Sequence, residues 1–291
     1  MKLVNDFNEY QLLDMSDRMK LENWNGIKLL RPDPQIIWPD KLNENAWNNI
    51  DAVYNRSKTG GGAWDIKNSK IPNRWTVTYK DMTFNLKLMG FKHTGLFPEQ
   101  AYNWNLIREK ITSAQRHVNV LNLFAYTGAA TIAAAKAGAS VVHVDSSQGM
   151  VDWAKENAKS SHVDDKPIRW LVDDVKKFVK REIRREHKYD IILMDPPSFG
   201  RGNNGEVWDI EKDLYELVDL CSEILSDDPI LFIINSYTTG LSQTVIENVL
   251  NLTVGKKFKG IISSDELGIP VQNSNMVLPC GSYTRWEKDT K

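Results

Sequence analysis

The chain is poor in cysteine, lacks a long apolar run and has almost no net charge. Its 291 residues include two cysteines, which excludes a disulfide framework or a cysteine-based zinc site and favours a reducing, cytoplasmic location. No apolar run approaches the ~18 residues of a membrane span, and the N-terminus lacks the pattern of a secretory signal. Lys and Arg total 37 against 38 Asp and Glu, so a basic, nucleic-acid-binding composition is excluded, although a local basic patch is not.

The whole chain has a globular composition, with 41% hydrophobic and 26% charged residues. Its first hundred residues differ from the rest in their sequence pattern. They contain turn signals and short alternating runs. Trp75–Tyr79, a short polar turn and residues 83–88 predict a β-hairpin. We interpret residues 1–100 as a small β-rich accessory or substrate-recognition domain, with a mobile loop at 60–62.

From residue 101 onward, strands and helices alternate, which predicts βαβ units. The central strands are apolar on both faces, as expected where helices cover a sheet on both sides. The predicted fold class is α/β, with a doubly wound, seven-stranded, mainly parallel sheet in a domain of residues 101–291. The predicted strands are 118–124, 140–145, 167–172, 189–194, 230–235, 257–263 and 277–285. The predicted helices are 102–116, 128–138, 147–159, 174–187, 209–226 and 241–252.

The turn after the first of these strands favours a cofactor with a ribose and no pyrophosphate. A dinucleotide fold needs Gly-x-Gly-x-x-Gly, whereas the turn 125–131 contains Gly128 alone. The second strand ends at Asp145, where a carboxylate can accept hydrogen bonds from a ribose diol. S-adenosylmethionine fits both features, with its methionine part near the turn. The alternative is a tight strand-to-helix turn and an unrelated surface Asp.

Acidic residues follow the third strand as well. An acidic side chain at Asp173-Asp174 can bind an adenine amino group, and the backbone N–H that follows, at Val175, can bind a ring nitrogen. The alternative is that this pair only caps the next helix.

The fourth strand is followed by Asp195-Pro196-Pro197-Ser198-Phe199. Two prolines fix the backbone, so we expect a rigid loop that directs the Asp195 side chain and carbonyl oxygens into the crevice, with Phe199 stacked on a planar substrate such as a base. A plain loop-breaking role for Pro-Pro is the alternative. Residues 200–205 predict a flexible flap, with Arg201 as a phosphate contact.

Four of these motifs together resemble the class I S-adenosylmethionine-dependent methyltransferases, which have a Rossmann-like fold: Asn122-Leu-Phe-Ala-Tyr-Thr-Gly128, His143-Val-Asp145-Ser-Ser147, Asp174 and Asp195-Pro-Pro-Ser-Phe199. Within that class the chain resembles the large-subunit ribosomal RNA methyltransferases that modify cytosine C5 or guanine N7. Residues 92–100 resemble the segment that precedes the first strand in that group, and the similarity covers about residues 50–285.

The resemblance implies an RNA-modifying enzyme and two sets of site residues. The implied catalytic residues are Asp195, Pro196, Pro197 and Phe199. The implied cofactor-binding residues are Phe97, Gln100, Asn122, Phe124, Ala125, Tyr126, Thr127, Gly128, Asp145, Ser146, Ser147, Asp173, Asp174, Val175 and Asp195.

Two departures from the group favour methyl transfer to a nitrogen. The cytosine-5 branch has a Cys after the fifth strand, because a thiolate must add to C6 before C5 can attack. Here that segment reads Asn235-Ser236-Tyr237. Cys221 lies among leucines at helical spacing and is predicted to be a core residue, while Cys280 is a weak alternative nucleophile. The N-terminal RNA-binding module that is common in the group is expected to be absent or shortened.

The remaining signals leave more than one function open. Lysines and arginines at 176–185 form a basic helix face that either contacts RNA phosphates or is only solvated. The five histidines do not form a metal-ligand pair, so no metal is expected. The expected partner is ribosomal RNA, with no membrane, and the sequence does not indicate an oligomeric state. The competing functions are methylation of a protein or small molecule, and a non-catalytic binding module on this fold.

Overall fold

A computed structural model describes residues 1–57, 61–202 and 205–289 of the chain. It divides into two compact units. The N-terminal unit comprises Leu3–Ala101 and Gly268–Pro279, and the C-terminal unit comprises Met1–Lys2, Tyr102–Leu267 and the chain from Cys280 onward. Residues 268–279 thus group with the N-terminal residues, whereas the sequence-based division places them in the second domain. The roles assigned to the two domains stay predictions.

The N-terminal unit is rich in strands. A five-stranded sheet has the order β2-β3-β4-β5-β6, and β7 pairs with β8 as the predicted hairpin, in antiparallel register. The first eight strands of the chain are β1 (Lys2–Leu3), β2 (Tyr10–Ser16), β3 (Met19–Trp24), β4 (Ile27–Pro32), β5 (Ala52–Arg56), β6 (Gly62–Ile66), β7 (Trp75–Tyr79) and β8 (Met82–Leu86). The prediction of a β-rich N-terminal region is confirmed.

The C-terminal unit alternates strands and helices. In this unit each predicted strand and helix is present; the strand 140–145 has the predicted ends, and the others are shifted at one or both ends. Its strands are β9 (Asn119–Leu123), β10 (Ser140–Asp145), β11 (Ile168–Val172), β12 (Ile191–Met194), β13 (Phe199–Arg201), β14 (Val207–Asp209), β15 (Leu231–Ser236), β16 (Gly260–Pro270) and β17 (Val277–Lys288). Its helices are α1 (Ala101–Ser113), α2 (Ala129–Lys136), α3 (Gln148–Ser160), α4 (Val175–Arg184), α5 (Ile210–Glu223), α6 (Gln243–Leu252) and α7 (Val254–Lys257).

The large sheet is mixed and has the order β1-β16-β17-β15-β12-β9-β10-β11. The neighbouring strands β11, β10, β9, β12 and β15 pair in parallel, in that order across the sheet. The strand β17 pairs with β15 in antiparallel register. The predicted number of seven strands is wrong for the described residues, because β1 adds an eighth at the edge. A two-residue strand is too short to show the alternation by which strands are recognised.

The order of the strands reverses next to β9. The chain runs from β9 to β10 and β11 on one side, and then returns to place β12 on the other side. In open α/β sheets, ligands bind in the crevice at such a switch point, outside the carboxyl ends of the strands. The fold therefore directs attention to the loops that follow β9, β10 and β12.

A continuous apolar core lies between the sheet and the helices α4, α5 and α6. Leu121, Ile192 and Phe232 of the sheet pack in one cluster with Phe178 of α4 and Leu217 of α5. These side chains are fully or almost fully buried. Removal of such aliphatic and aromatic surface from water is the main favourable term in folding, so the strands next to the crevice have a rigid base.

Two features of the loops were not predicted, and two predicted loops extend beyond the described residues. The strands β13 and β14 pair as a short hairpin at the base of the predicted flap, and α7 follows α6. Residues 203–204 of the flap and residue 60 of the predicted loop at 60–62 lie outside the described residues. Among the helices that the structure describes, none is both long and apolar enough to cross a membrane.

Candidate active site

The register of the sheet brings three chain segments to one level. Leu123, the last residue of β9, pairs with Val144 of β10 on one side and with Met194 of β12 on the other. The next residues are therefore Phe124, Asp145 and Asp195. Because parallel strands end at the same edge of a sheet, these three segments lie next to one another at the mouth of the crevice.

The loop after β9 has an unusual backbone. Phe124 and Tyr126 have positive φ angles of 53° and 51°, and Gly128 has a φ of 83°. Non-glycine residues rarely adopt this conformation, and such residues cluster at functional sites. The Ala125 N–H donates to the Val144 carbonyl at 3.1 Å and so keeps the loop against β10.

Gly128 satisfies a steric requirement as well as a conformational one. A Cβ at this position would lie 2.9 Å from the Cβ of Ala154 on α3. Only glycine combines a left-handed backbone with this close approach. Gly128 therefore allows the loop to pack directly on α3.

Asp145 accepts two backbone hydrogen bonds at the end of β10. Its Oδ2 accepts from the Tyr126 N–H and its Oδ1 from the Ser147 N–H, each at 2.9 Å. Burial raises the pKa of the Asp145 carboxyl, and the two N–H donors oppose this shift. A carboxylate oxygen has more than one acceptor position, so both oxygens retain capacity for the two hydroxyls of a ribose.

A buried polar chain supports the loop from below. Asn122 Nδ2 donates to Thr131 Oγ1 at 3.0 Å, and Thr131 Oγ1 lies 2.9 Å from His143 Nδ1. Asn157 Nδ2 donates to the Thr127 carbonyl at 2.9 Å. These side chains are buried, and burial lowers the pKa of His143 to about 3, so its ring is neutral. The Asn122 amide thus has an internal partner, and its predicted contact with a cofactor stays a prediction.

The acidic pair after β11 has two structural partners. Asp174 caps α4, because its Oδ1 accepts from the Lys177 N–H at 2.9 Å. Asp173 pairs with Arg181, and its N–H donates to the Asp145 carbonyl at 3.0 Å. The side chain of Val175 is buried in the core, which leaves its backbone for any contact with a ligand. The capping interpretation therefore accounts for Asp174, while Asp173 has a different structural partner.

The loop after β12 is held by its neighbours. Trp208 of β14 donates from Nε1 to the Pro197 carbonyl at 2.7 Å. Ser198 Oγ and Thr238 Oγ1 share a hydrogen bond of 2.6 Å. Phe199 is 57% exposed, so a face of its ring is accessible. Neither Trp208 nor Thr238 was predicted, because each is distant from the motif along the chain and belongs to no recognisable pattern.

The remaining predicted residues belong to two different parts of the chain. Phe97 and Gln100 belong to the N-terminal unit, where the Phe97 ring lies 5.2 Å from that of His93 and the Gln100 N–H donates to the Phe97 carbonyl at 3.1 Å. Their contacts with a cofactor stay predictions. Ser146 is exposed before the first turn of α3, and Ser147 is the N-cap residue of that helix.

The two cysteines differ in accessibility. Cys221 is fully buried in the core cluster, and burial raises the pKa of its thiol, which makes it inert. Cys280 is partly buried. Within the described ranges, His, Cys, Asp and Glu side chains do not form a group of three that could hold a metal ion.

The comparisons with known proteins agree with this architecture. The sequence model of the S-adenosylmethionine-dependent methyltransferase family matches residues 54–250. The chain therefore belongs to this family of methyltransferases. The crystal structure of the SAM-dependent methyltransferase from Agrobacterium tumefaciens superposes with a TM-score of 0.92 at 33% identity, covering 99% of this chain and 93% of that one.

The names of curated relatives also specify a substrate, the RNA of the large ribosomal subunit. The chain is 29% identical over 228 residues to the ribosomal RNA large subunit methyltransferase K/L of Legionella pneumophila, covering 77% of this chain. It is 28% identical over 235 residues to the ribosomal RNA large subunit methyltransferase K of Neisseria meningitidis, covering 76% of this chain. The matches span 29% and 63% of these relatives' own lengths.

Proposed function

We propose that the chain transfers the methyl group of S-adenosylmethionine to a ring or amino nitrogen of a ribosomal RNA base, without a covalent enzyme intermediate. The observation that carries this proposal is the sheet register, which aligns Phe124, Asp145 and Asp195 at the switch point. The names of the curated relatives support RNA as the acceptor.

The residues after β9, β10 and β11 fit the parts of this cofactor. Asp145 is the acceptor for the ribose hydroxyls, and the loop 124–128 surrounds the methionine part. Asp174 and the backbone N–H of Val175 contact the adenine, with Asp173 beside them. When bound, S-adenosylmethionine supplies an already activated methyl group.

The loop after β12 is assigned to the acceptor base. Asp195 and the Pro196 carbonyl orient the nucleophilic nitrogen, and the exposed ring of Phe199 stacks on the base. Stacking of this kind contributes about 1–3 kcal/mol. Arg201, whose guanidinium lies 5.8 Å from the Phe199 ring centroid, contacts a phosphate of the same strand. Correct placement of the nitrogen supplies most of the rate enhancement, since the methyl group needs no further activation.

The test is nucleoside mass spectrometry of ribosomal RNA from a strain that lacks the gene. One methylated nucleoside should disappear, and the wild-type gene should restore it. Asp195→Ala should not restore it, whereas Asp152→Ala, at an exposed position of α3, should. An unchanged nucleoside profile in the deletion strain would contradict RNA as the acceptor and favour a protein or small molecule.

A second experiment tests the direct mechanism. Because Cys221 is buried and β15 ends in Asn235-Ser236, the single variants Cys221→Ser and Cys280→Ser should each retain activity. Incubation with RNA that contains 5-fluorocytosine should leave the protein free of a covalent adduct. An adduct that forms with the wild type and is abolished by Cys280→Ser would restore cytosine-5 chemistry.

A further inference from the structure

The hairpin of β13 and β14 has two different faces. Phe199 pairs with Asp209, Gly200 with Trp208, and Arg201 with Val207. Phe199 and Val207 are 57% and 53% exposed, whereas Trp208 is 8% exposed. Because side chains alternate across a strand, Trp208 projects to the inner face, away from the proposed base-stacking ring.

On that inner face, Trp208 contacts both loops of the candidate site. Its Nε1 donates to the Pro197 carbonyl at 2.7 Å. Its ring lies 4.9 Å from the ring of Phe124, at an interplanar angle of 59°. Phe124 is the first left-handed residue of the loop after β9. One side chain therefore connects the loop assigned to the methyl donor with the loop assigned to the acceptor.

The hydrogen bond to the Pro197 carbonyl restricts the loop strongly, because Pro197 follows a second proline. Proline has no N–H and a fixed φ angle, so Pro196 and Pro197 can neither donate backbone hydrogen bonds nor rotate about φ. The main freedom left between Pro197 and Ser198 is rotation about the ψ angle of Pro197, which turns its carbonyl. The indole N–H fixes that carbonyl, and with it the direction in which Ser198 and Phe199 leave the prolines.

We propose that Trp208 is a positioning residue for methyl transfer, which holds the Asp195–Phe199 segment in register with the loop after β9. This inference rests on the proposed function of these two loops. Trp208 does not contact the acceptor; it acts through the Pro197 carbonyl and the Phe124 ring. The residue before β14 is held as well, because Lys177 Nζ of α4 lies 2.5 Å from a carboxylate oxygen of Glu206.

Trp208→Phe tests the proposal, since it keeps an aromatic ring beside Phe124 and removes the N–H donor. The matched control is Trp286→Phe, in the same core cluster. Within the described part of the chain, the buried Trp286 indole nitrogen has no hydrogen-bond partner. Both variants lose the same atoms from the same core, but only Trp208→Phe loses a hydrogen bond to the site.

Three measurements should separate the two variants. Hydrogen exchange of the amides of Ser198, Phe199 and Gly200 should be faster in Trp208→Phe than in Trp286→Phe. The calorimetric affinity for S-adenosylhomocysteine should stay within about twofold of wild type in both. The kcat for ribosomal RNA should fall about fivefold in Trp208→Phe, as expected for one lost hydrogen bond, and stay unchanged in Trp286→Phe.

Equal hydrogen exchange in the two variants, or an equal loss of kcat that follows their melting temperatures, would overturn the positioning role. A wild-type protein that does not methylate ribosomal RNA would instead contradict the proposed acceptor. In that case the hydrogen-exchange comparison still decides whether Trp208 orders the loop, because it requires no acceptor.

Discussion

At the scale of single residues, backbone donors fix the orientation of the Asp145 carboxylate. Each of its oxygens accepts one backbone N–H, from Tyr126 and from Ser147. These bonds hold the carboxylate in one orientation, while burial raises its pKa. On the proposed function, the ribose meets an acceptor that needs no rearrangement, which is the physical advantage of preorganisation.

Asp145→Ala should lower the affinity for S-adenosylhomocysteine by about 10- to 100-fold. The reason is that a hydrogen bond to a charged group contributes about 1.5–3 kcal/mol. Isothermal calorimetry is the measurement, with circular dichroism to confirm that the variant is folded at the working temperature. An unchanged affinity would show that the ribose does not bind here.

His143 is a buried group whose neutrality links stability to pH. The unfolded side chain titrates near 6.5, whereas burial lowers the pKa in the fold to about 3. As the pH falls below 6.5, the unfolded state takes up a proton that the folded state does not. The stability contribution is therefore present above pH 6.5 and is lost progressively as the pH falls toward 3.

Between pH 7 and pH 5, the His143 ring should lower the free energy of unfolding by about 2 kcal/mol. His143→Asn removes the titration and keeps a polar group near Thr131 Oγ1. Urea unfolding at the two pH values should show that the variant loses about 2 kcal/mol less than the wild type. Equal losses would mean that His143 is protonated in the fold.

At the scale of elements, the contact between the loop after β9 and α3 depends on one glycine. Gly128 has a φ of 83°, and a Cβ there would meet Ala154 at 2.9 Å. Gly138, after α2, has a φ of 95° and open space around it. The two positions share the backbone requirement and differ in packing.

Gly128→Ala should destabilise the fold more than Gly138→Ala and should alone weaken S-adenosylhomocysteine binding. Both variants incur about 1–2 kcal/mol for a left-handed alanine, but the first must also move the loop from α3. Thermal unfolding and calorimetry measure the two effects. If Gly138→Ala weakens binding to the same degree, the close approach at Gly128 is not what shapes the loop.

At the scale of the whole molecule, 37 basic and 38 acidic residues give a formal charge of −1, and lysines on the surface pair with carboxylates. The basic face of α4 is an example. Lys176 contacts Asp213 at 3.0 Å and Glu216 at 2.6 Å, and Lys180 contacts Glu216 at 3.2 Å. This face therefore has acidic partners on α5, which weighs against the alternative that it contacts RNA phosphates. Exposed surface pairs contribute little to stability, but they reduce the charge that a phosphate would meet.

The salt dependence of RNA binding should distinguish these lysines from Arg201. For single-stranded RNA, each phosphate contact contributes about 0.7 to the slope of log affinity against log salt. Arg201→Ala should reduce the slope by about 0.7, whereas Lys180→Ala should leave it unchanged. Filter binding between 50 and 200 mM salt, roughly the range over which such slopes are measured, tests this. A reduced slope in Lys180→Ala would place RNA on α4.

The alternation of apolar runs with turns was sufficient to predict an α/β sheet that follows a β-rich N-terminal region. The whole of β12 and the first four residues of β15 are apolar, so their burial between helices follows from composition alone. Asp145 was predicted to end a strand and Asp195 to follow one, and the structure places them so because the ends of strands are local features. The extra strand β1 was missed, since two residues have no periodicity.

The sequence by itself determined which residues follow each strand of the sheet, because that depends on short-range pattern. Only the tertiary structure decided which side chains meet there. The Trp208 contact with Phe124 and the pairing of α4 with α5 join residues that are distant along the chain. Such contacts arise when hydrophobic burial packs the elements together, and no local propensity encodes them.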